Sequence, residues 1–448
     1  MDTLNAVKYD YAETLKIILK KCITFKIMLY FCSKIYAYST KYNVMMKKCK
    51  FLMALGLMVW PLLASALTDD HMLPPEVAQL NDSLKRIYAP DRRVALFDVD
   101  YSVADRHVML RGVTTSVEAK QALAEGLRRR GYEVMDCLRL LPDEEQLEGK
   151  VWGIVNVSVC NLRAEGDFSS EMMTQGLMGM PVRLLERDGW DRVQTPDQYI
   201  AWVHRVGIHP VTREELAAWN AAEKVVVTAH YGFVYTLPDQ KSQTVSDVVA
   251  GNRLRYEGRK GAFFAVSYPD GRRGYLPRIM AQTESEWRRG LKQDAQSIIA
   301  TAKTLMGIPY LWAGTSSKGV DCSGLMRTVL YLHDIIIPRD ASQQAYKGAH
   351  IDIAPDFSNL QLGDLIFFGR KATPERKERV VHVGMYIGNG RFIHSQGDVR
   401  ISSFFPDDEL FDAYNLGRLL FAARVLPYIN KEEGLNTTAT NAFYQEGF

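Results

Sequence analysis

The stretch that decides the reading runs from Gly307 to Gly348: GIPYLWAGTSSKGVDCSGLMRTVLYLHDIIIPRDASQQAYKG. Cys322 follows a loop rich in Gly and Ser and precedes an apolar run of helical character, Leu325 to Leu332. That order places the thiol at a helix N-terminus. Backbone N–H groups and the helix dipole there favour a thiolate, whose ordinary pKa of about 8.5 has to fall for efficient attack. The same N–H groups can hold the oxyanion of a tetrahedral intermediate. A second stretch, residues 380–401, reads VVHVGMYIGNGRFIHSQGDVRI. Val380 to Ile387 predicts a strand, Gly388-Asn389-Gly390 a tight turn, and Arg391 to His394 the returning strand. His382 and His394 then sit on adjacent strands as neighbours, without having to be directly opposite. A base on one strand and an orienting group on the next is what an activated nucleophile requires. A lone Cys before a helix is more often inert, and a lone strand His is more often a core residue. The combination is what points to catalysis. A zinc site made of Cys322, His382 and His394 is the competing chemistry, but no C-x-x-C or H-E-x-x-H spacing accompanies it.

The chain has 448 residues, which suggests about three domains. Its net charge of +3 is small for that length, and no basic arm or stripe stands out, so nucleic acid is not an expected partner. Residues 45–66, MMKKCKFLMALGLMVWPLLASA, have the form of a signal peptide. Lys47, Lys48 and Lys50 give the positive region, Phe51 to Leu63 the apolar region, and Ala64-Ser65-Ala66 the cleavage site. The apolar run is shorter than the ~20 residues that span a bilayer, so an exported product, periplasmic or secreted and without a stable membrane anchor, is expected. Residues 1–44 read best as an upstream extension from a start codon assigned too early, with a genuine amphipathic extension as the alternative. Of the six cysteines, Cys22, Cys32 and Cys49 fall before the cleavage site. Cys137, Cys160 and Cys322 are left, an odd number, so at least one thiol is free. Cys137 and Cys160 suit a buried, inert role.

Residues 72–148 read as a small α/β module. Val94 to Val99 and Val108 to Leu110 are strand-like, Ser116 to Arg130 is helical with Ser116 as N-cap and Gly131 as C-cap, and Tyr132 to Leu138 returns to strand character. No chemistry shows in this module, which suits packing or interaction. An internal repeat follows. Gly179, Arg183, Gly189, Pro196-Asp197 and Trp202 match Gly251, Arg255, Gly261, Pro269-Asp270 and Tyr275. Short β-rich runs punctuated by Gly and Pro-Asp turns predict two small antiparallel barrels, residues 151–210 and 223–280, similar to bacterial SH3-like barrels. A helical run from Ser285 to Met306 opens the last domain, residues 290–428, and the polar tail 429–448 is expected to fray.

The last domain resembles the NlpC-type cysteine peptidases of cell-wall turnover. The matching elements are Tyr310-x-Trp312-x-Gly314, Gly319 through Gly324, Pro338-Arg339-Asp340, Gln344 with Gly348, Leu362 through Leu365 with Phe367-Phe368, His382-Val383-Gly384 and Phe392-Ile393-His394. The resemblance implies an α+β papain-like fold with Cys322 as nucleophile, His382 as general base and acid, and His394 as its orienting group. It implies that Tyr310 helps bind the oxyanion and that Asp321 and Ser323 contact substrate. Two departures stand out. Asp340-Ala341 replaces a common Asp-Ser, so a hydroxyl contact at 341 is lost or passes to Ser342. Ala313 stands where Gly is common and is comfortable there unless the backbone needs a positive φ.

Paired barrels ahead of such a domain resemble the γ-D-glutamyl-L-diamino acid endopeptidases, also called dipeptidyl-peptidase VI. That subgroup implies a murein peptide substrate, L-Ala-γ-D-Glu-diamino acid with a free N-terminal Ala; the diamino acid is diaminopimelate or lysine, with meso-diaminopimelate the expectation. It implies that Glu171 and Tyr199 of the first barrel bind the free ammonium. It implies no metal or organic cofactor, and a monomer is expected. An endopeptidase of intact polymeric peptidoglycan is one alternative, and a non-catalytic wall-binding protein is the other.

Overall fold

The structure, a computed structural model, describes residues 73–431 and 434–445. The expected extension, the signal-peptide segment, Cys22, Cys32 and Cys49 all lie outside the described residues. Among the described residues no helix is long and apolar enough to cross a membrane.

The chain first builds two helices on a four-stranded sheet. Phe97–Ala104 and His107–Thr114 form an antiparallel hairpin, and Glu133–Asp136 and Arg139–Leu140 both run parallel to its second strand. Helix Val117–Arg129 begins where Ser116 accepts the Ala119 N–H, and it ends before Gly131 at φ +81°. It meets helix Pro75–Tyr88 at Gly126, where a Cβ would lie 2.8 Å from Leu80. The first strand starts at Phe97 rather than Val94, because Val94 and Ala95 both donate to the Asp91 carbonyl in a turn that the Pro90-Asp91 pair begins.

The two repeats are two barrels of one design. Each has seven strands in the spatial order seventh, first, fourth, fifth, sixth, second, third. The fourth strands, Pro181–Asp188 and Arg253–Lys260, follow the matched glycines Gly179 (φ +82°) and Gly251 (φ +86°). The turns that follow hold Gly189 and Gly261, also at positive φ. Gly179 has a second use, since a Cβ there would stand 2.2 Å from the Arg253 carbonyl. The backbones of the two barrels touch at that point, and the Arg253 N–H donates to the Met178 carbonyl. A helix, Arg213–Ala221, joins the barrels and starts with a capping box between Thr212 and Glu215.

The last domain packs helices on a six-stranded sheet. Its opening run is two helices, Glu284–Gly290 and Ala295–Thr304, where the sequence predicted one. Leu291 leaves helical geometry after Gly290, and Asp294 starts the second helix by accepting the Ser297 N–H. The helix Cys322–Tyr331 is buried along its whole length. Leu325, Met326 and Val329 share a core with Leu365, Phe367, Val383 and Ile393 of the sheet. Arg327, on the same helix, reaches the buried carboxylate of Asp197 in the first barrel and also the Gln175 carbonyl. A helix that is apolar toward a sheet and hydrogen-bonded toward a barrel has no face left for solvent.

The tail does not fray where it is described. Ile336 donates to the Asn436 carbonyl, Asn441 donates to the Pro196 carbonyl, and Leu435, Phe443 and Tyr444 are buried. Phe443 meets Trp152 edge-on at 5.5 Å, and Tyr444 bonds Tyr331. Phe443 and Tyr444 therefore fill the seam between the first barrel and the Cys322 helix, while Leu435 joins the core of the last domain. Phe443→Ala is expected to cost about 3–5 kcal/mol by leaving a cavity there. Urea unfolding would check it, and wild-type stability would count against the tail as part of the core.

Candidate active site

Asp321 begins the buried helix. Its Oδ1 accepts the Gly324 N–H at 2.7 Å, and its Oδ2 accepts the Ala313 N–H at 2.9 Å. Arg339, 1 % exposed, donates to both oxygens and to Ser323 Oγ. A Cβ on Gly324 would stand 1.9 Å from the Gly314 carbonyl, so the glycines of the two motifs exist to let their backbones touch. Ala313 sits between them at φ +61°, which means the position does call for a positive φ. Ala is strained there by about 1–2 kcal/mol relative to Gly, and its N–H bond to Asp321 helps hold the geometry. Asp321 and Ser323 both line the cleft, but the protein's own donors already occupy both carboxylate oxygens.

Cys322 is the first residue of the helix and is 8 % exposed. The N–H groups of Val383 and Ser323 and the Arg339 charge favour its thiolate. Burial and the neighbouring Asp321 carboxylate outweigh them and push the thiol up to about 11. The lowered value expected from the helix N-terminus is therefore overturned. Cys160 is buried, and its thiol is pushed up to about 12 by that burial. Cys137, expected to be buried, is exposed.

The histidines lie where the hairpin places them. His394 is opposite Gly384, two residues along from His382, and His382 Nε2 is 2.8 Å from His394 Nδ1. His394 Nε2 in turn is 3.0 Å from Ser402 Oγ. Burial, His394 and Arg418 hold His382 well below its ordinary value, and burial holds His394 down to about 4. Both rings are neutral at pH 7. Val383, next to His382, faces the thiol through its N–H, and His382 Nδ1 is the ring nitrogen that the pair leaves unused. Among the described residues no group of three or more His, Cys, Asp or Glu side chains is placed to hold a metal ion.

Cys322 opens into a cleft of about 300 Å³ with walls from three parts of the chain. Tyr310 is half-buried, and burial, Cys322 and Asp321 keep its phenol protonated. Its hydroxyl has no protein partner among the described residues. The first barrel supplies Glu171, whose Oε1 accepts the indole N–H of Trp312 at 2.9 Å. It also supplies Tyr199, buried up to a hydroxyl 3.3 Å from Asp340 Oδ2. Ala341 lines the cleft beside Asp340. The third contributor was not legible in the sequence. Arg93, from the turn between the first helix and the first strand of the N-terminal module, donates to Asp340 Oδ2 at 2.8 Å and to Ser342 Oγ at 3.0 Å. Asp91 braces the same guanidinium, and Gln343 donates to Asp91. Asp-Arg-Arg at 91–93 looks like any charged turn, and only the Arg93 carbonyl's bond to Ile200 N–H and the Val94 carbonyl's bond to Gln194 fix it over the barrel.

Fold and cleft together are those of a papain-like cysteine peptidase that carries SH3-like barrels. A family model described as NlpC/P60 family matches residues 307–411, and one described as bacterial dipeptidyl-peptidase Sh3 domain matches residues 162–207. A gamma-D-glutamyl-L-lysine dipeptidyl-peptidase of Bacillus cereus is 31% identical over 53% of this chain and 71% of its own length. A protein of the same name from Bacillus subtilis is 29% identical over 50% of this chain and 72% of its own. Dipeptidyl-peptidase 6 of Lysinibacillus sphaericus is 29% identical over 58% of this chain and 93% of its own. The crystal structure of an NlpC/P60 family protein from Bacillus cereus superposes with a TM-score of 0.52 at 25% identity, over 62% of this chain and all of that one. The chain belongs to the NlpC/P60 family of cysteine peptidases.

Two measurable consequences follow from the buried site. With its thiol near 11, Cys322 of the free protein should be alkylated by iodoacetamide at a rate that climbs about tenfold per pH unit between about pH 7 and 10. Peptide mass spectrometry in a Cys137→Ser background would follow it, and a rate flat in pH would show a preformed thiolate. The second concerns stability. A His whose folded pKa is depressed binds protons more readily when unfolded, so the stability present above about pH 6.5 is lost as pH falls toward 4. Thermal unfolding should come earlier at pH 5 than at pH 7, and His394→Asn should flatten that slope. An unchanged slope would remove the His pair as its cause.

Proposed function

We propose that this peptidase cleaves the γ-D-glutamyl–diamino acid bond of murein peptides with a free N-terminal L-Ala, with meso-diaminopimelate as the diamino acid. The observation that carries the reading is the cleft wall from the first barrel, which sets Glu171 and Tyr199 within the same cavity as Cys322. A cavity walled in this way suits a short peptide better than a continuous polymer. In the cleft wall Arg339 pairs with Asp321 and Arg93 with Asp340, whereas among the described residues the Glu171 carboxylate has only the Trp312 indole N–H as a partner and is the one open to an ammonium guest. The names of the relatives from both Bacillus species support a γ-D-glutamyl substrate.

In this reading both partners start neutral. Cys322 Sγ attacks the γ-glutamyl carbonyl carbon while His382 Nδ1 takes the thiol proton. The carbonyl electrons move to oxygen, and the oxyanion accepts hydrogen bonds from the free Tyr310 hydroxyl and the Cys322 N–H. On collapse of the intermediate the C–N bond breaks, and imidazolium His382 gives its proton to the leaving amine. Water, deprotonated by His382, then cleaves the thioester and restores the thiol. Asp321 and Ser323 shape the floor of the cleft, and Ser342 Oγ stands beside Ala341, where relatives commonly carry a hydroxyl. Residues 45–66 support placing the reaction outside the cytoplasm.

Mass spectrometry of defined muropeptides would test the proposal. L-Ala-γ-D-Glu-diaminopimelate should be cleaved, and Cys322→Ala should abolish cleavage. Acetylating the Ala amine, or Glu171→Gln, should lower kcat/KM by about tenfold or more, the worth of a charge-assisted hydrogen bond. Equal rates with and without the acetyl group would take Glu171 and Tyr199 out of their role. Efficient release from intact sacculi would replace the free-peptide reading with the polymer one. A lysine peptide cut faster than its diaminopimelate counterpart would reverse the assignment of the diamino acid.

A further inference from the structure

Three arginines line the cleft around Cys322, and two of them are already engaged. Arg93 gives Nε and Nη2 to Asp91 and Nη1 to Asp340 and Ser342. Arg339, buried, gives its two terminal nitrogens to Asp321 and Ser323, and its Nε is sealed from solvent. Arg379 is exposed, and among the described residues its guanidinium has no hydrogen bond or ion pair. We propose that Arg379 binds the free α-carboxylate of the γ-linked glutamyl residue, and so selects a glutamate over its amide on the acyl side of the scissile bond; this rests on the proposed γ-D-glutamyl substrate.

The backbone brings Arg379 to the cleft. It is the first residue of the strand Arg379–Gly388, which also carries His382. On the neighbouring strand Gly369 faces Val380 and Phe368 faces His382, so Val381 is the extra residue of a bulge. Regular alternation would turn only every second side chain toward the cleft. With the bulge, Arg379, Val380 and Val381 all line it. Gly369 lets the backbones meet at this point, since a Cβ there would stand 2.0 Å from the Arg379 carbonyl. The short helix Ala341–Gln344 packs on the same strand, and Ala341 lines the cleft without a side-chain donor of its own.

The chemistry of the substrate says which anion arrives here. A γ-linkage uses the side-chain carboxyl for the peptide bond and leaves the α-carboxyl free and ionised. Two methylenes separate the scissile carbonyl from the α-carbon, which also bears the amide to the N-terminal Ala. With the carbonyl at Cys322 and the ammonium at Glu171, the α-carboxylate falls between them and not beyond the leaving amine. The cleft holds about 300 Å³, the small end of ligand pockets, so its lining groups are within reach of a bound dipeptide. The carboxylate enters among Glu171, Asp321 and Asp340, whose like charges repel it. Arg379 is the cation left to meet it, and a guanidinium offers the planar fork that a carboxylate fits. A carboxamide brings one oxygen and no charge, and loses most of that contact. Arg370, Lys371, Arg376 and Lys377 of the same hairpin do not line the cleft.

Kinetics on two peptides test the assignment: L-Ala-γ-D-Glu-diaminopimelate and its glutamyl α-carboxamide. Wild type should favour the acid about tenfold or more in kcat/KM, mainly through KM. Arg379→Ala should erase that preference by losing rate on the acid. Arg379→Lys, which keeps the charge without the fork, should retain part of it. Lys377→Ala, in the same hairpin but outside the cleft, should discriminate as wild type does. A misfolded fraction lowers both rates alike and leaves their ratio unmoved. A preference that survives in Arg379→Ala overturns the proposal, as does a wild type that cuts both peptides equally. Calorimetric titration with the dipeptide L-Ala-γ-D-Glu and its amide separates this idea from the cleavage reading. Should wild type cleave neither peptide, the cleavage reading fails. Tighter binding of the acid dipeptide, lost in Arg379→Ala, would still support the carboxylate site, and equal binding would overturn it.

Discussion

The Asp321 carboxylate is the interaction on which the site depends. It caps the buried helix through Gly324, fixes the strained loop at Ala313, and neutralises Arg339, which in turn holds Ser323. Taking either charge away would strand the other in a dry interior, at a cost of about 3–5 kcal/mol. The same carboxylate acts against the thiolate, because a negative charge one residue away raises the thiol. The protein thus uses a buried ion pair to build the turn at Cys322, and in the proposed mechanism the activation of the thiol is left to the imidazole. The proposed mechanism accordingly rests on the His382 imidazole, and less on a thiolate stored in the resting state.

A second theme is that the cleft is shared. The last domain supplies the thiol and Tyr310, the first barrel supplies Glu171 and Tyr199, and the N-terminal module supplies Arg93. Their mutual position rests on two buried polar joints, Arg327 with Asp197 and Gln175 with Thr315, and on the partly exposed pair of Arg93 with Asp340. Such joints are costly if half made, so they specify one docking of barrel on domain in a way that apolar contact alone would not. The tail adds Phe443 and Tyr444 to the same seam.

Much of the fold was readable because its signals are local. The helix cap at Ser116, the paired glycines of the two barrels, the Gly-Asn-Gly turn and the offset of the two histidines all follow from turn chemistry and periodicity within short windows. Errors came where a short window misled. Ser285 to Met306 looked continuous, yet Asp294 is a better cap than an interior residue. The polar tail hid three buried side chains. Cys137 looked like a core residue and is exposed on the surface.

By itself, the sequence determined the turn that starts the Cys322 helix, the histidine hairpin, the repeated barrels and the family. Tertiary structure alone decided the electrostatics and the partners. Arg93 reaches Asp340 across 247 residues, and Ser402 stands behind His394 in a contact that no spacing announces. Burial lifts the very thiol that its helix N-terminus was expected to lower. The physical reason is common to all three. Propensity and turn geometry belong to neighbours in the chain, whereas desolvation and charge pairing belong to neighbours in space.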